Sequence, residues 1–194
     1  MDGFKKRTQR KMNKILEASL QLFSNDGIKN VPIAKIASEA NVSQVTIYNY
    51  FESKEKLIHE TMIYFVEKEY QKFLDIIDSD VQFPEKIEQI IFNKTDDAAK
   101  INEEFYHYLM NDFTNEGSYI DMAYQEKALP LFNQLIEEGK STGYIHQDIS
   151  TEAIMIYIHM FKDYMKQDNV SDYILPLAED ITKLFFYGMM GKRN

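Results

Sequence analysis

The chain has 194 residues, 44% hydrophobic and 27% charged, the composition of an ordinary globular protein with room for one sizeable domain or a small one joined to a larger one. No run reaches the roughly 18 apolar residues that a bilayer-spanning helix needs, and no apolar stretch follows the basic N-terminus, so neither a membrane span nor a signal peptide is expected. Zero cysteines exclude a disulfide framework, thiolate chemistry and cysteine-ligated zinc, and make a reducing cytoplasm the expected compartment.

The net charge of −9 is unevenly spread: residues 1–56 hold ten Lys/Arg against six Asp/Glu, and the remainder hold twelve against twenty-five. Lys5, Lys6, Arg7, Arg10, Lys11 and Lys14 crowd the first turns. A basic head on an acidic body points to a polyanionic partner for the head. A first helix is predicted from about Lys6 to Asn25, with Ile15, Ala18, Ser19, Leu22 and Phe23 on one face and Gly27 as its stop. A short second helix runs from Pro32 to about Ala40, burying Ile33, Ile36, Ala37 and Ala40. Asn41 suits a turn that needs a left-handed backbone. Ser43 is then a good N-cap, with Val42 and Ile47 placed to form a hydrophobic staple.

In the third helix Ile47 and Phe51 share the inner face, leaving Gln44, Thr46, Tyr48, Asn49 and Tyr50 off the core. Two short helices across a tight turn, the second polar outside, make a helix-turn-helix over about 31–50. Gln and Asn can bond adenine edges, Thr can touch a thymine methyl, and Tyr hydroxyls reach phosphates. Lys54, opening the next helix, adds a charge beside free backbone amides. Further helices are predicted at about 54–78, 84–97, 99–112, 118–140, 150–167 and 172–190, so the expected class is all-α. Pro130 should kink or break its helix, and Pro176 lies too deep for a helix capped at Ser171, which must start later or bend.

The stretch "ILEASLQLFSNDGIKNVPIAKIASEANVSQVTIYNYFESKEKLI" resembles the N-terminal domain of tetracycline-repressor-like (TetR-family) regulators over about fifty residues. The family's Ile-Leu-x-Ala-Ala, Phe-x-x-x-Gly, Ile-Ala-x-x-Ala-Gly-Val-Ser and Thr-Leu-Tyr-x-x-Phe-x-x-Lys-x-x-Leu elements fall on Ile15–Ser19, Phe23–Gly27, Ile36–Ser43 and Thr46–Leu57. Asn41 replaces the usual turn glycine, and Pro32 stands where a hydroxyl residue often caps the second helix. The resemblance implies a DNA-binding domain over 1–53 and a helical effector-binding and dimerisation domain over 54–194. It makes Ser43, Gln44, Thr46, Tyr48, Asn49 and Tyr50 the recognition element, with Tyr48 and Lys54 on phosphates and the basic arm of Lys5, Lys6 and Arg7 on the flanking backbone. It further implies a homodimeric repressor on a palindromic double-stranded operator, released when a small effector binds the body.

Ala153, Ile156, Tyr157, Met160, Phe161 and Tyr164 line one side of one late helix, and Leu177, Ile181, Leu184, Phe185 and Gly188 line the last. Pairing with their mates would make a four-helix interface. Ile156, Met160, Tyr164, Leu177, Ile181, Leu184 and Phe185 are therefore the expected dimer residues. Stretches rich in Tyr, Phe and Met suit either core or a pocket for an aromatic or lipophilic effector. Glu104 and His107 spell Glu-x-x-His once, without the second copy that a di-iron bundle requires. No nucleophile elbow, dinucleotide fingerprint, P-loop or zincin motif occurs, so no enzyme, cofactor or metal is expected. Two alternatives stay open: a DNA-binding regulator without an effector, and a helical ligand-binding protein or enzyme whose head does not read DNA.

Overall fold

A computed structural model describes residues 2–98, 102–165 and 174–190, and every described element is helical. The chain runs α1 (Asp2–Asp26), α2 (Ile33–Glu39), α3 (Gln44–Phe51), α4 (Lys54–Ile77), α5 (Phe83–Ala98), α6 (Glu103–Thr114), α7 (Tyr119–Ala123), α8 (Leu129–Ser141), α9 (Thr151–Met165) and α10 (Ala178–Met190). The all-α expectation holds, with a helix-turn-helix near the N-terminus and a helical body after it. Two compact units form: Met1–Lys68 with Lys100–Leu109, and Glu69–Ala99 with Met110–Asn194.

The first unit is built on side chains that the 3.6-residue period places together. Ile15 and Phe23 from α1, Ile36 from α2, Ile47 from α3 and Leu57 from α4 are all fully buried, joined by Val31 and Phe105. Burial of each such side chain contributes about 1.5–3 kcal/mol. Gly27 ends α1 at φ +80°, donating its N–H to Phe23 O at 3.1 Å. A Cβ there would lie 2.9 Å from Glu104 Oε2 and 3.0 Å from Asn102 Oδ1. That closeness has a purpose. Glu104 accepts the Lys29 N–H at 3.1 Å and faces the Lys29 ammonium at 3.5 Å, while Asn102 donates its N–H to Ser24 O at 2.7 Å. The α1–α2 loop is thus pinned by the start of α6.

Asn102 also explains where α6 begins. Its side chain accepts the Glu104 N–H at 2.9 Å, an N-cap that sets the helix at Glu103 rather than near residue 99; residues 99–101 lie outside those described.

In the second unit Ile76, Ile77, Phe83, Ile87, Ile90, Leu135, Ile136, Ile145, Ile154 and Phe186 form one core. Lys86 is buried against it, its ammonium donating to Ile77 O at 2.7 Å and pairing with Glu138 at 2.9 Å. A cation at the last carbonyls of α4 is favourable for the helix dipole. Pro130 does not break the helical run, which continues from α7 into α8 by a specific route. The helix widens into a π-turn over Tyr124–Ala128, and Leu129 donates to Tyr124 O, five residues back. Proline has no N–H to give and its ring presses on the carbonyl four residues before it, so the wider turn removes both conflicts. Pro176 sits in a 3-10 turn, Leu175–Leu177, ahead of α10. The expected cap Ser171 and the turn "KQDNVS" fall outside the described residues.

Ser19 is fully buried, and no described group accepts from or donates to its hydroxyl. Ser19→Ala should therefore raise stability by about 1 kcal/mol, because a buried hydroxyl without a partner costs more than it returns. Gly27→Ala should lower it by about 1–3 kcal/mol through the left-handed backbone and the displaced carboxylate. Urea unfolding of both variants checks the pair; equal midpoints would count against this account of the first unit's core.

Candidate nucleic-acid interface

The turn before α3 is set by residues rather than by chance. Asn41 adopts φ 53°, the left-handed geometry its side chain tolerates, and Val42 donates its N–H to Ala37 O at 2.9 Å. Ser43 caps α3, accepting the Thr46 N–H at 3.1 Å, and the two hydroxyls bond each other at 2.9 Å. Pro32 stands at the N-cap of α2 with no side-chain bond, as its chemistry requires.

On α3 only Ile47 and Phe51 are buried, one turn apart. Ser43, Gln44, Tyr48 and Asn49 are exposed, and Thr46 and Tyr50 are half-buried, Tyr50 meeting Phe51 edge-on at 6.4 Å. Sequence reasoning missed one residue on this surface. Val45, with 67% of its surface exposed, points away from the core alongside Asn49. A branched aliphatic group in that place can cover a thymine methyl. The signal was present: positions two before and two after a buried helical residue face outward.

The exit from α3 holds a second feature absent from the sequence reading. Glu52 has φ 65° and ψ −45°, and Ser53 donates its N–H to Phe51 O at 2.6 Å. This is a γ-turn of the rare kind, which strains any residue other than glycine. It joins α3 to α4 without a loop. Ser53 then caps α4 by accepting the Lys56 N–H at 3.1 Å, and Lys56 pairs with Glu52.

Lys54 lies where expected, half-buried, but its ammonium already donates to Ile28 O at 2.9 Å. Two of its three N–H donors remain for other acceptors. Lys5, Lys6 and Arg7 are exposed on the first turns of α1, so the basic arm is helical. Arg7, Arg10, Lys11 and Lys14 fall at i, i+3, i+4 and i+7 and are all exposed, giving one cationic face.

Of the residues expected at a dimer interface, Ile156 and Met160 on α9 and Leu184 on α10 are 60%, 63% and 72% exposed. Tyr164 and Leu177 are exposed as well, whereas Ile181 and Phe185 are half-buried. Phe185 packs on the second unit's core, stacking on Tyr157 at 5.8 Å and meeting Phe186 edge-on at 5.1 Å. Tyr157 and Tyr187 extend the exposed apolar surface. Among the described residues no group of histidine and carboxylate side chains could hold a metal ion, and no helix is long and apolar enough to cross a membrane.

Residues 15–61 match the family model described as bacterial regulatory proteins, tetR family. The HTH-type transcriptional repressor KstR2 of Mycobacterium tuberculosis is 21% identical, over 81% of this chain and 80% of its own. An uncharacterised HTH-type transcriptional regulator of Bacillus subtilis, YhgD, is 28% identical over 79% and 83%. Among solved structures, reduced NemR of Escherichia coli superposes with a TM-score of 0.64 at 14% identity, covering 95% of this chain and 100% of that one. FadR of Bacillus subtilis in complex with stearoyl-CoA gives 0.56 at 16% identity, over 90% and 97%.

Replacing Glu52 by glycine should stabilise the first unit by about 1 kcal/mol, since the strain relieved exceeds the few tenths lost with the Lys56 pair. Glu52→Pro should unfold it, because proline cannot adopt a positive φ and removes the N–H that reaches Tyr48 O at 2.8 Å. Thermal melts of the two variants decide the matter, and a glycine variant that melts well below the parent would remove the strained turn from the account.

Proposed function

As the chain belongs to the TetR family of bacterial transcriptional regulators, we propose that it is a homodimeric repressor, released from a palindromic operator by a small effector. The observation that carries this reading is the surface of α3. Its polar and aromatic side chains are exposed on a helix whose cap, turn and exit are all fixed by hydrogen bonds. On this reading Gln44, Val45 and Asn49 meet base edges in the major groove, while Ser43, Thr46, Tyr48, Tyr50 and Lys54 position the helix on the backbone. Lys5, Lys6 and Arg7 add phosphate contacts at the flank.

Dimerisation supplies the second recognition helix about 34 Å away, one turn of duplex. The support for it is the exposed apolar surface of α9 and α10, where Ile156, Met160, Tyr164, Leu177 and Leu184 stand in solvent, with Ile181 and Phe185 at their edge. Such a patch on a lone chain marks an interface. The structure of FadR with stearoyl-CoA supports the class of effector expected, a small lipophilic or aromatic molecule held by the body. An effector acts by preferring the conformation that does not fit the operator, and a differential affinity of about 1–3 kcal/mol is enough.

Selection of bound sequences from random duplex DNA at moderate salt should enrich a palindrome. On that operator Gln44→Ala should cost about 1–3 kcal/mol and relax preference at one base position. Tyr48→Ala should weaken specific and random DNA alike. Equal losses on both DNAs for Gln44→Ala would remove it from base readout.

Leu184→Glu should convert a dimer to a monomer in sedimentation at micromolar concentration while leaving helix content unchanged. A side chain so exposed within one chain has no other reason to be sensitive. A monomeric parent protein would end the dimer reading.

A further inference from the structure

The outer face of α3 offers a partner few kinds of chemical group. The helix, Gln44–Phe51, contains no lysine, arginine, aspartate or glutamate. Ile47 and Phe51 serve the core. The Ser43 and Thr46 hydroxyls bond each other at 2.9 Å, and Ser43 accepts the Thr46 N–H, so both are engaged in the cap. Tyr50 is half-buried against Phe51. Two carboxamides stand exposed, Gln44 and Asn49, together with the Val45 isopropyl group and the Tyr48 phenol. Neither carboxamide has a hydrogen-bond partner among the described residues. The cations nearest to α3 in the sequence are held elsewhere: Lys54 on Ile28 O, Lys56 on Glu52 and Lys35 on Asp26.

These groups sort the bases of the major groove. Guanine shows two acceptors there, N7 and O6, and its best reader is arginine or lysine; cytosine shows the N4 amino group, which a carboxylate accepts. Neither reader occurs on α3. Adenine shows the N7 acceptor beside the N6 donor, and a carboxamide carries the matching donor and acceptor on one plane. Thymine adds a C5 methyl group, the counterpart of an exposed aliphatic side chain such as Val45. Val45 and Asn49 share a face one turn apart, about 6 Å along the helix axis, and Gln44 adjoins Val45. Readers so close together meet neighbouring base pairs.

We propose that α3 reads a short run of consecutive A·T pairs in each half-site, with Gln44 and Asn49 on adenine edges and Val45 against a thymine methyl group. This names the target of the operator reading given above and rests on it. A G·C pair in the run is rejected on two counts. A carboxamide carbonyl would face a guanine acceptor, and Val45 would face the bare C5 edge of cytosine.

The test uses the full chain and the operator that selection enriches. Repeating the selection with Gln44→Ala and with Asn49→Ala marks the positions that lose preference, and these should be adjacent A·T pairs. Deoxyuridine in place of a thymine removes only the methyl group. At one thymine of the run it should weaken the parent protein about fourfold, the worth of one buried methyl, and leave Val45→Ala unchanged. In the same way 7-deazaadenine removes only N7; at one adenine it should weaken the parent about tenfold and leave Gln44→Ala unchanged. All three variants should match the parent in helix content, since each position is exposed. Marked positions occupied by G·C pairs, or analogue losses that are absent or equal in parent and variant, would overturn the inference while the enriched palindrome keeps the repressor reading. Selection that enriches no palindrome would overturn both.

Discussion

The first unit depends on how little holds α3. Eight residues bury two side chains, Ile47 and Phe51, while Gln44, Val45, Tyr48 and Asn49 stand exposed. A helix this short is not stable alone. Its geometry comes from its ends: a left-handed Asn41 before it, the Ser43 cap on its first turn, and the γ-turn at Glu52 that leads directly into α4. Because the ends are fixed by hydrogen bonds, the outer face is released from structural duty. Polar and aromatic residues can occupy it without cost to the fold.

The second unit solves a different problem, how to place charge and proline inside a helical bundle. Lys86 is tolerated in the core because the last carbonyl of α4 and Glu138 accept hydrogen bonds from its ammonium. Pro130 is tolerated because a π-turn precedes it. That same π-turn carries Tyr124, whose ring centre lies 4.6 Å from the Lys162 ammonium, itself paired with the buried Asp121.

Much of this was legible from residue order, and the misses have physical reasons. Helices appear wherever apolar side chains recur at 3.6 residues, so α1 to α5 stand close to their expected bounds. Asn41 and Gly27 announce left-handed geometry by their chemistry. Glu52 does not, because glutamate gives no local reason for a positive φ; the turn is imposed by the helices on either side. Val45 escaped notice because an aliphatic residue is expected inside, and only the burial of Ile47 two positions later shows that it faces out. The bond from Lys54 to Ile28 O joins residues 26 apart, a separation that no local pattern encodes. On α10 the period grouped Ile181 and Phe185 with Leu184, yet period alone does not say how much of a stripe a chain uses for itself.

The γ-turn has a kinetic meaning as well as a steric one. A reading helix joined to its neighbour by a flexible loop would have to give up that freedom each time it met DNA, and the loss would slow capture as well as weaken it. Here the strain is taken up once, when the chain folds, and α3 is held already aimed. On the proposed reading, encounter would then be governed by how far the cationic face of α1 reaches through salt. For a protein that works in this way, the ionic strength of its surroundings would set how quickly a gene is found.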